Sequence, residues 1–373
     1  MSKKIRSIAI YLPQFYPIKI NDDCWGKGFT EWTNVTKAKP LFKNHYQPHL
    51  PADLGFYDLR VPEVRQEQVD LAKQYGIDGF CYYHYWFTGQ RVLERPFEEV
   101  FKSGKPDFPF MLCWANENWA KVWDGGDQTV MCEQHYSRED HINHINALKP
   151  IFKDERYIKV DGRPVFSIYR SQNIPDIEET IKLWRTELAK DGIDIYINRF
   201  ESYSEGGKDL VKDGFDAAVR FEPFSTRINK FKKFWLKETM KNKLNPWYIK
   251  YKLSSAAARK KMFSLRRLDY GAYVDYIKTL PKENEEYKLY PGVTPMWDNS
   301  ARKQKDYFMF TNSTPEKFKE WVEHEVENFE PYSKDENFLF INAWNEWAEG
   351  NHMEPCQKWG HSYLKAFKEA VKK

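Results

Sequence analysis

The feature that most constrains the fold of this chain is a regular alternation of short apolar runs with helical patterns. Strands that alternate with helices favour a parallel α/β fold. We therefore predict a (β/α)8 TIM barrel, with a doubly wound open sheet as the alternative. The runs expected to form strands are 7–12, 79–83, 110–114, 164–168, 193–197, 217–221, 289–294 and 338–343, and helical patterns cover 61–75, 138–152, 175–190, 315–328 and a closing stripe from Trp359 to Val371.

Two long connections interrupt this alternation. The connection 16–59 is expected either to form part of a binding wall over the mouth of the barrel or to act as a structural cap. The second connection, 227–267, is rich in basic and aromatic residues. Since 373 residues suit one barrel with long loops, we predict a single domain, 1–373, with a basic aromatic insertion at about 227–267.

Polar and aromatic residues gather at the carboxyl ends of six predicted strands and in the loop after the first strand. In TIM barrels this is the end that carries the active site. Aromatic residues form 17% of the chain, which suits a cleft that binds sugar rings. The expected substrate-binding residues are Tyr11, Gln14, Trp32, Tyr83, His84, Trp86, Trp114, Asn116, Glu117, Trp119, Glu222, Trp297, Asp298, Trp344, Asn345 and Trp347.

The last predicted strand runs directly into two carboxylates three residues apart, Glu346 and Glu349, among tryptophan and asparagine residues. A continuing strand would separate the two side chains, whereas a turn at Trp347, favoured by Gly350, would bring them to one side. Cleavage of a glycosidic bond requires one carboxylic acid and a second carboxylate that acts as base or nucleophile. We therefore predict that Glu346 and Glu349 are catalytic.

Several candidates have plain structural alternatives. Glu117, after Asn116, is a rival catalytic carboxylate, although we assign it to the binding shell. His84 could equally be a core histidine, and a structural ion pair is the commoner fate of residues such as Glu222 and Asp298.

No cofactor or metal is expected. His141 and His144 lie three residues apart in a helical pattern without a third strong ligand, so we expect them on a solvated helix face. The five cysteines show no metal or redox spacing and are read as reduced thiols.

The segment 227–267 contains 14 Lys or Arg residues and a single acid, Glu238, whereas the whole chain carries a net charge of +4. Our hypothesis is that it contacts an anionic membrane surface or a lipid-linked glycan, and a solvated helical excursion is the alternative. No nucleic-acid-binding module accompanies the charge, so nucleic acid is not expected as a partner. The first residues contain no apolar stretch of signal-peptide length, which predicts a cytoplasmic protein, with peripheral contact to the inner membrane as part of the same hypothesis.

Five sequence blocks together resemble the WbsX-like group of bacterial polysaccharide-biosynthesis proteins, which is related to glycoside hydrolase family 99. The resemblance implies a (β/α)8 barrel that needs no metal, and it implies that the Glu-x-x-Glu element is catalytic. Hydrolases of that family are retaining endo-acting α-mannosidases and α-mannanases. The blocks are 10–15, 25–32, 79–86, 114–119 and 342–350, and they extend over nearly the whole chain.

The resemblance also implies roles for the two glutamates. Glu346 would assist the sugar 2-hydroxyl, which attacks its own anomeric carbon, and Glu349 would protonate the leaving oxygen as general acid/base. The well-studied hydrolases carry a histidine where this chain has Ala348. Members of the WbsX-like group are labelled glycosyltransferases, so the sequence leaves three hypotheses open: a glycoside hydrolase acting on an oligosaccharide or polysaccharide, a nucleotide-sugar-dependent transferase in surface polysaccharide or lipopolysaccharide biosynthesis, and an inactive glycan-binding protein.

Overall fold

The computed structural model describes residues 5–120, 130–202, 210–241, 246–255, 266–282, 286–303 and 306–372. At its centre a parallel sheet curves into a barrel, in which β1 pairs with β2 on one side and with β8 on the other. The strands are β1 (Arg6–Tyr11), β2 (Gly79–Phe87), β3 (Phe110–Trp114), β4 (Arg163–Ile168), β5 (Tyr196–Glu201), β6 (Ala217–Arg220), β7 (Leu289–Tyr290 and Gly292–Val293) and β8 (Phe338–Ile341).

The barrel closes through β7, which is split into two short pieces. Leu289–Tyr290 pairs with β6, and Gly292–Val293 pairs with β8. Pro291 lies between them and cannot donate a ladder hydrogen bond. At Gly292 the chain passes so close to β6 that an added Cβ would lie 2.0 Å from the Arg220 carbonyl oxygen. The predicted (β/α)8 barrel is thereby confirmed, while its single-domain organisation over 1–373 stays a prediction.

Helices surround the barrel, and five of them, α3, α5, α6, α10 and α11, agree closely with the helical patterns predicted from the sequence. The apolar face of α5, for example, buries Ile145 and Leu148. That of α10 buries Phe318 and Trp321. The helices are α1 (Lys19–Trp25), α2 (Glu31–Lys37), α3 (Pro62–Gln74), α4 (Arg95–Ser103), α5 (Arg138–Phe152), α6 (Ile177–Ala189), α7 (Thr226–Lys241), α8 (Pro246–Leu253), α9 (Tyr270–Thr279), α10 (Pro315–Asn328) and α11 (Ser362–Val371).

The fifth strand lies later in the chain than predicted. We expected it at 193–197, but β5 begins at Tyr196 and continues to Glu201. The strand was not recognised because it contains polar residues, which are buried and have specific partners. Asn198 accepts a hydrogen bond from Ser167 at 2.6 Å, and Arg199 pairs with Glu201 at 3.3 Å. Ile193 and Ile195 are instead buried in the connection that precedes the strand.

The expectation that His141 and His144 lie on a solvated helix face is wrong. Helix α5 turns both side chains inward, where they pack edge to face against Trp114 and Trp184. Burial among these rings lowers the pKa of His141 to about 4 and that of His144 well below its ordinary value. Both imidazoles are therefore neutral parts of the layer between barrel and helices.

Part of the basic insertion is visible as α7 and α8, whereas 242–245 and 256–265 lie outside the described residues. Helix α7 is fastened to α9, since the ring of Phe231 packs against Tyr273 and Tyr276. None of the helices in the described ranges is long and apolar enough to cross a bilayer.

Candidate active site

The two glutamates after β8 lie on a tight turn. Asn345–Glu346 pairs antiparallel with Asn351–His352, and a single 3₁₀ turn, Trp347–Glu349, connects the two. Gly350 closes this turn in the left-handed region at φ 55°, where a side chain would also press against Asp298 at 3.0 Å. Both carboxylates consequently face the same cavity at the carboxyl end of the barrel.

Neighbouring side chains hold this turn in place. Asn345 fastens it to the end of β1, because its side-chain amide accepts from the Leu12 N–H at 2.8 Å and donates to the Leu12 carbonyl at 3.0 Å. The Trp347 indole donates to Glu354 at 2.6 Å, and its ring stacks on His352 with centroids 3.8 Å apart. These interactions fix the backbone that carries Glu346 and Glu349.

A buried arginine bridges three carboxylates at the base of the cavity. Arg302 Nη2 lies 2.9 Å from Glu31 Oε2 and 3.0 Å from Glu346 Oε2, and Arg302 Nη1 lies 2.9 Å from Glu349 Oε1. Glu31 is the first residue of α2 and is fully buried. We call these four residues the acid cluster.

Burial dominates the protonation of Glu346 and Glu349. It raises the pKa of Glu346 to about 8, although Arg302 opposes the shift. It also raises the pKa of Glu349, against the opposing effects of Arg302 and Lys303. Because the two carboxyls interact, they titrate as a pair, and the pair retains a proton near neutral pH. One member can then donate a proton while the other accepts one.

The cavity above the acid cluster has a volume of about 460 Å³ and mixes aromatic, polar and charged side chains. Of the predicted binding residues, the structure brings together Gln14, Tyr83, Glu117, Trp119 and Trp297 around it, together with the two catalytic candidates. The sequence analysis did not select the other lining side chains, which include Tyr85, Phe87, Asn118, Tyr169, Arg170, Phe221, Phe224, Asn299, Arg302, Lys303, Asp306, Phe308 and Asn342.

Aromatic rings line two sides of this cleft. On one side the Trp119 ring stacks nearly parallel to Tyr85, with centroids 5.7 Å apart, and to Phe87 at 6.4 Å. On the other side Trp297 meets Phe224 edge to face at 4.6 Å. Flat apolar faces and polar edges around a pair of carboxylates suit a ligand with both C–H and hydroxyl surfaces, as sugar rings have.

His84 and Trp86 lie on the outer face of β2 and do not reach the cleft. His84 Nε2 is 2.9 Å from His144 Nε2, and the Trp86 indole donates to Asp140 at 3.0 Å. Side chains of a strand alternate between its two faces, so Tyr85, which lies between the two, faces the cleft in their place.

Four other predicted residues also serve the scaffold. Trp114 packs on Trp184 with centroids 5.8 Å apart, and the Tyr11 hydroxyl donates to Gln68 of α3 at 2.7 Å. Trp32 and Trp344 are buried, the first with its indole donating to the Tyr57 carbonyl and the second against Phe80. Together with Asn345 and Trp347, they support the cleft from behind.

The remaining candidates hold loops around the cleft. Asn116 is buried and pairs its side-chain amide with the backbone of Arg170. The carboxylate of Glu117 is half exposed and lies 3.0 Å from Arg170 Nε at the rim of the cavity. Asp298 accepts hydrogen bonds from His45 and Gln47, both at 2.7 Å, and these outweigh burial and lower its pKa.

Glu222 lies beneath the cleft floor. Its carboxylate accepts from Ser225 and Tyr273, and its backbone carbonyl accepts from the Asn342 amide at 2.8 Å. Burial raises its pKa. Within the described residues no group of three or more His, Cys, Asp or Glu side chains could hold a metal ion.

The residues that the sequence reasoning missed had usable signals. Glu31 lies inside the block 25–32 that carried the resemblance, and Arg302 follows Asp298 by four residues after the seventh strand. Each is a charged residue in a loop at the carboxyl end of the barrel. Their position in the sequence could therefore have marked both as candidate site residues. It could not indicate that the two loops are in contact.

Comparisons with known proteins agree with this architecture. The computed structure superposes on a glycoside hydrolase-like protein with a TM-score of 0.60 at 14% identity, covering 99% of this chain and 94% of the other. It superposes on the GH99 endo-alpha-mannosidase from Bacteroides thetaiotaomicron with a TM-score of 0.56 at 12% identity, covering 98% and 96% of the two chains. At such low identity the likeness shows a shared fold.

Sequence relatives are nearer. The uncharacterized protein WxcX of Xanthomonas campestris is 37% identical over 373 residues in one strain and 36% over 374 in strain B100, covering 98% of this chain in both cases. The chain spans about half the length of these relatives, 49% in each. The family model described as Glycosyltransferase WbsX matches residues 7–367. The chain therefore belongs to the Glycosyltransferase WbsX family and has the barrel fold of the GH99 enzymes.

Proposed function

We propose that this protein is a carbohydrate-active enzyme that cleaves glycosidic bonds of a bacterial polysaccharide or related glycan, with Glu346 and Glu349 as its catalytic residues. The observation that carries the proposal is a pair of carboxylates, the buried Glu346 and the partly buried Glu349, on one guanidinium at the base of an aromatic cleft. An acid/base pair in a water-poor pocket is the equipment that glycoside cleavage requires.

The resemblance to glycoside hydrolase family 99 supplies the roles. Glu349 protonates the leaving oxygen, while Glu346 takes the proton of the sugar 2-hydroxyl as that oxygen attacks the anomeric carbon. Water then opens the resulting ring, the protons return, and the configuration is retained. These steps require that the pair start with one proton, held by Glu349 while Glu346 is ionised, and the raised pKa values of both carboxyls support a pair that carries one proton.

Mass-spectrometric product analysis tests this proposal. Wild-type protein and Glu349→Gln are incubated with a panel of α-mannosides and with the surface polysaccharide of the producing organism, with and without nucleotide sugars. We expect shortening of one of these glycans without any nucleotide by wild type, and none by Glu349→Gln. Equal shortening by both proteins would contradict the assignment of Glu349.

The family name favours a second candidate, a glycosyltransferase of polysaccharide or lipopolysaccharide assembly. In that case the same panel would show growth of an acceptor only when a nucleotide sugar is present, and the glutamates would activate the acceptor hydroxyl. An inactive glycan-binding protein would bind an oligosaccharide and yield no product under either condition.

We also propose peripheral contact of the basic insertion with an anionic membrane or a lipid-linked glycan. Helix α8 supports this, because Ile249 and Leu253, four residues apart and thus on one face, are 46% and 84% exposed. Exposed Lys250 and Lys252 flank them. Apolar side chains with neighbouring cations fit the interface of an anionic bilayer.

Sedimentation with liposomes tests the membrane contact. We expect binding to vesicles containing phosphatidylglycerol at low salt, little binding to phosphatidylcholine vesicles, and a loss in the double variant Ile249→Ser/Leu253→Ser. The matched control is Val211→Ser, which removes an apolar side chain that is 76% exposed outside the insertion. Wild-type protein that stays in the supernatant with both vesicle types would refute the contact.

A further inference from the structure

The acid cluster contains two residues that the proposed chemistry does not use. Glu31 and Arg302 come from different loops, the first from the start of α2 and the second from the loop after β7. Both are almost fully buried, and neither is required to touch the bond that breaks. A buried charged pair added to a catalytic pair calls for a physical explanation, because burying charges is costly.

The geometry of the guanidinium gives the first part of that explanation. Arg302 presents Nη1 to Glu349 and Nη2 to Glu346, at 2.9 and 3.0 Å. The guanidinium is planar and rigid, so two carboxylates bound to its two terminal nitrogens keep a fixed distance from each other and a fixed relative orientation. A lysine ammonium, which is a point charge on a flexible stem, could not impose this arrangement.

The charge balance gives the second part. Nη2 contacts both Glu346 and Glu31, and the latter lies 2.9 Å away. With Glu349 on Nη1, three carboxylates share the positive charge of one guanidinium. Within the described residues, the other charged or titratable groups that face the cluster are Lys303 of the same loop and Tyr83 and Tyr85 of β2, and the tyrosines are neutral. Because the buried carboxylates outnumber the guanidinium, the catalytic pair is stabilised by keeping a proton.

Both residues are themselves held in place. The Glu31 N–H donates to the Gln14 carbonyl at 3.2 Å where α2 begins, and Thr30 caps that helix through a capping box. The Arg302 N–H donates to the Asn299 carbonyl at 3.2 Å, and the Asn299 side chain accepts from Phe308 at 2.8 Å. The loop that carries the Arg302 side chain therefore has a defined conformation.

We propose that Arg302 and Glu31 are positioning residues: Arg302 holds Glu346 and Glu349 in one arrangement, and Glu31 withdraws part of the guanidinium charge so that this pair keeps its proton. The inference deepens the proposed function, on which it rests for the roles of the two glutamates. Neither positioning residue transfers a proton itself.

Carboxyl ¹³C NMR titration of protein labelled at glutamate tests the inference without any substrate. Spectra of Glu346→Gln and Glu349→Gln assign the two signals. In Glu31→Gln the guanidinium serves the catalytic pair alone, so we expect the titration midpoints of the pair to move to lower pH by about one pH unit, the effect of one neighbouring charge. Arg302→Gln should move them to higher pH, and Arg302→Lys, which restores the charge without the fork, should recover part of that shift.

The matched control is Glu325→Gln, which removes a buried carboxylate that pairs with arginine elsewhere in the molecule and leaves the acid cluster intact. Its catalytic pair should titrate as in wild type. If Glu31→Gln folds and its pair titrates at the wild-type midpoints, the inference is overturned. Since no glycan enters this experiment, the titration can succeed even if product analysis finds no hydrolysis, and the two proposals fail separately.

Discussion

Two of the buried groups of arginine and glutamate among the described residues differ in how many partners each charge has. In the acid cluster three carboxylates contact the one guanidinium of Arg302, whereas Glu325 of α10 contacts two guanidinium groups, those of Arg227 and Arg220. Glu325 also accepts a hydrogen bond from the Trp321 indole at 3.1 Å. We call the second group the arginine-rich cluster.

The opposite ratios give opposite protonation. Burial alone would raise the pKa of Glu325, but Arg227 and Arg220 outweigh it and hold that pKa below its ordinary value. Burial of Glu346 is opposed by a guanidinium that is shared with other acids, and its pKa rises to about 8. A carboxylate that two guanidinium groups hold ionised is a weak base and cannot donate a proton, whereas a pair that retains one proton near neutral pH can supply both a general acid and a general base. The ratio of charges thus separates a structural cluster from a candidate catalytic one.

The largest difference between the clusters is expected in turnover. Glu349→Gln keeps the shape of the side chain but cannot donate a proton, so we expect kcat on a susceptible glycan to fall by about 10³-fold while the Kd for that glycan changes little. Initial rates and calorimetric binding measure the two quantities. Glu325→Gln serves as the control and should retain kcat. If both variants lost turnover equally, the distinction between the clusters would fail.

The second difference is expected in stability. Glu325→Ala removes a buried carboxylate that contacts both Arg227 and Arg220, so the free energy of unfolding should fall by about 3–5 kcal/mol. Urea denaturation followed by tryptophan fluorescence measures this change. For comparison, Glu349→Gln relieves an excess of buried acid and should cost less. A smaller loss for Glu325→Ala than for Glu349→Gln would contradict the structural role of the arginine-rich cluster.

The pH dependence of stability should have opposite signs in the two clusters. The folded-state pKa of Glu346 is raised from 4.5 to about 8, so its favourable contribution is complete below about pH 4.5 and is lost as the pH rises to about 8. Glu346→Gln should therefore gain stability relative to wild type across this window, on the order of 5 kcal/mol.

For Glu325 the folded-state pKa is lowered, so its contribution is present above about pH 4.5 and is lost as the medium becomes more acidic. Glu325→Gln should be least stable relative to wild type at neutral pH, and the difference should shrink on acidification. Urea midpoints of both variants and wild type, measured from pH 8 down to the lowest pH at which wild type stays folded, provide the comparison. Parallel curves for the two variants would contradict the opposite protonation.

The smallest expected effect concerns ligand binding. Trp119 stacks on Tyr85 and lines the cleft, whereas Trp86 donates to Asp140 behind β2. Trp119→Ala should weaken glycan binding by about tenfold, equivalent to about 1.4 kcal/mol, through loss of a stacking face. Trp86→Phe should leave Kd unchanged. Calorimetry on the glycan identified by product analysis distinguishes the two, and equal Kd values for both variants would place Trp119 outside the binding surface.

The barrel could be predicted from the sequence because its signals are local. Apolar runs and helical spacing depend on neighbours along the chain, and α5 and α10 agree with the predicted bounds at both ends. β5 was misplaced because Asn198 and Arg199 are polar residues with buried partners from other strands or loops, which local spacing cannot reveal.

The turn that carries the two candidate catalytic glutamates was predictable for the same reason, since Glu346, Glu349 and Gly350 are close in sequence. The face of a side chain was harder: His84 and Tyr85 are adjacent and equally suited to sugar, and only the register of β2 decides which one reaches the cleft. Arg302 and Glu31 are separated by 271 residues. Their contact depends on two loops that fold over the barrel. Local sequence patterns cannot predict such a contact between distant loops.

The split strand β7 also determines the circumference of the barrel. At position 292 the backbones of β6 and β7 approach so closely that a single methyl group would lie 2.0 Å from a carbonyl oxygen. Any residue other than glycine must push β6 outward, and the ring of strands would have to widen at that point. Because the second piece of β7 pairs with β8 and leads into the Arg302 loop, that widening would also displace the strand end that carries this loop. The width of the barrel at this point therefore depends on the absence of one side chain.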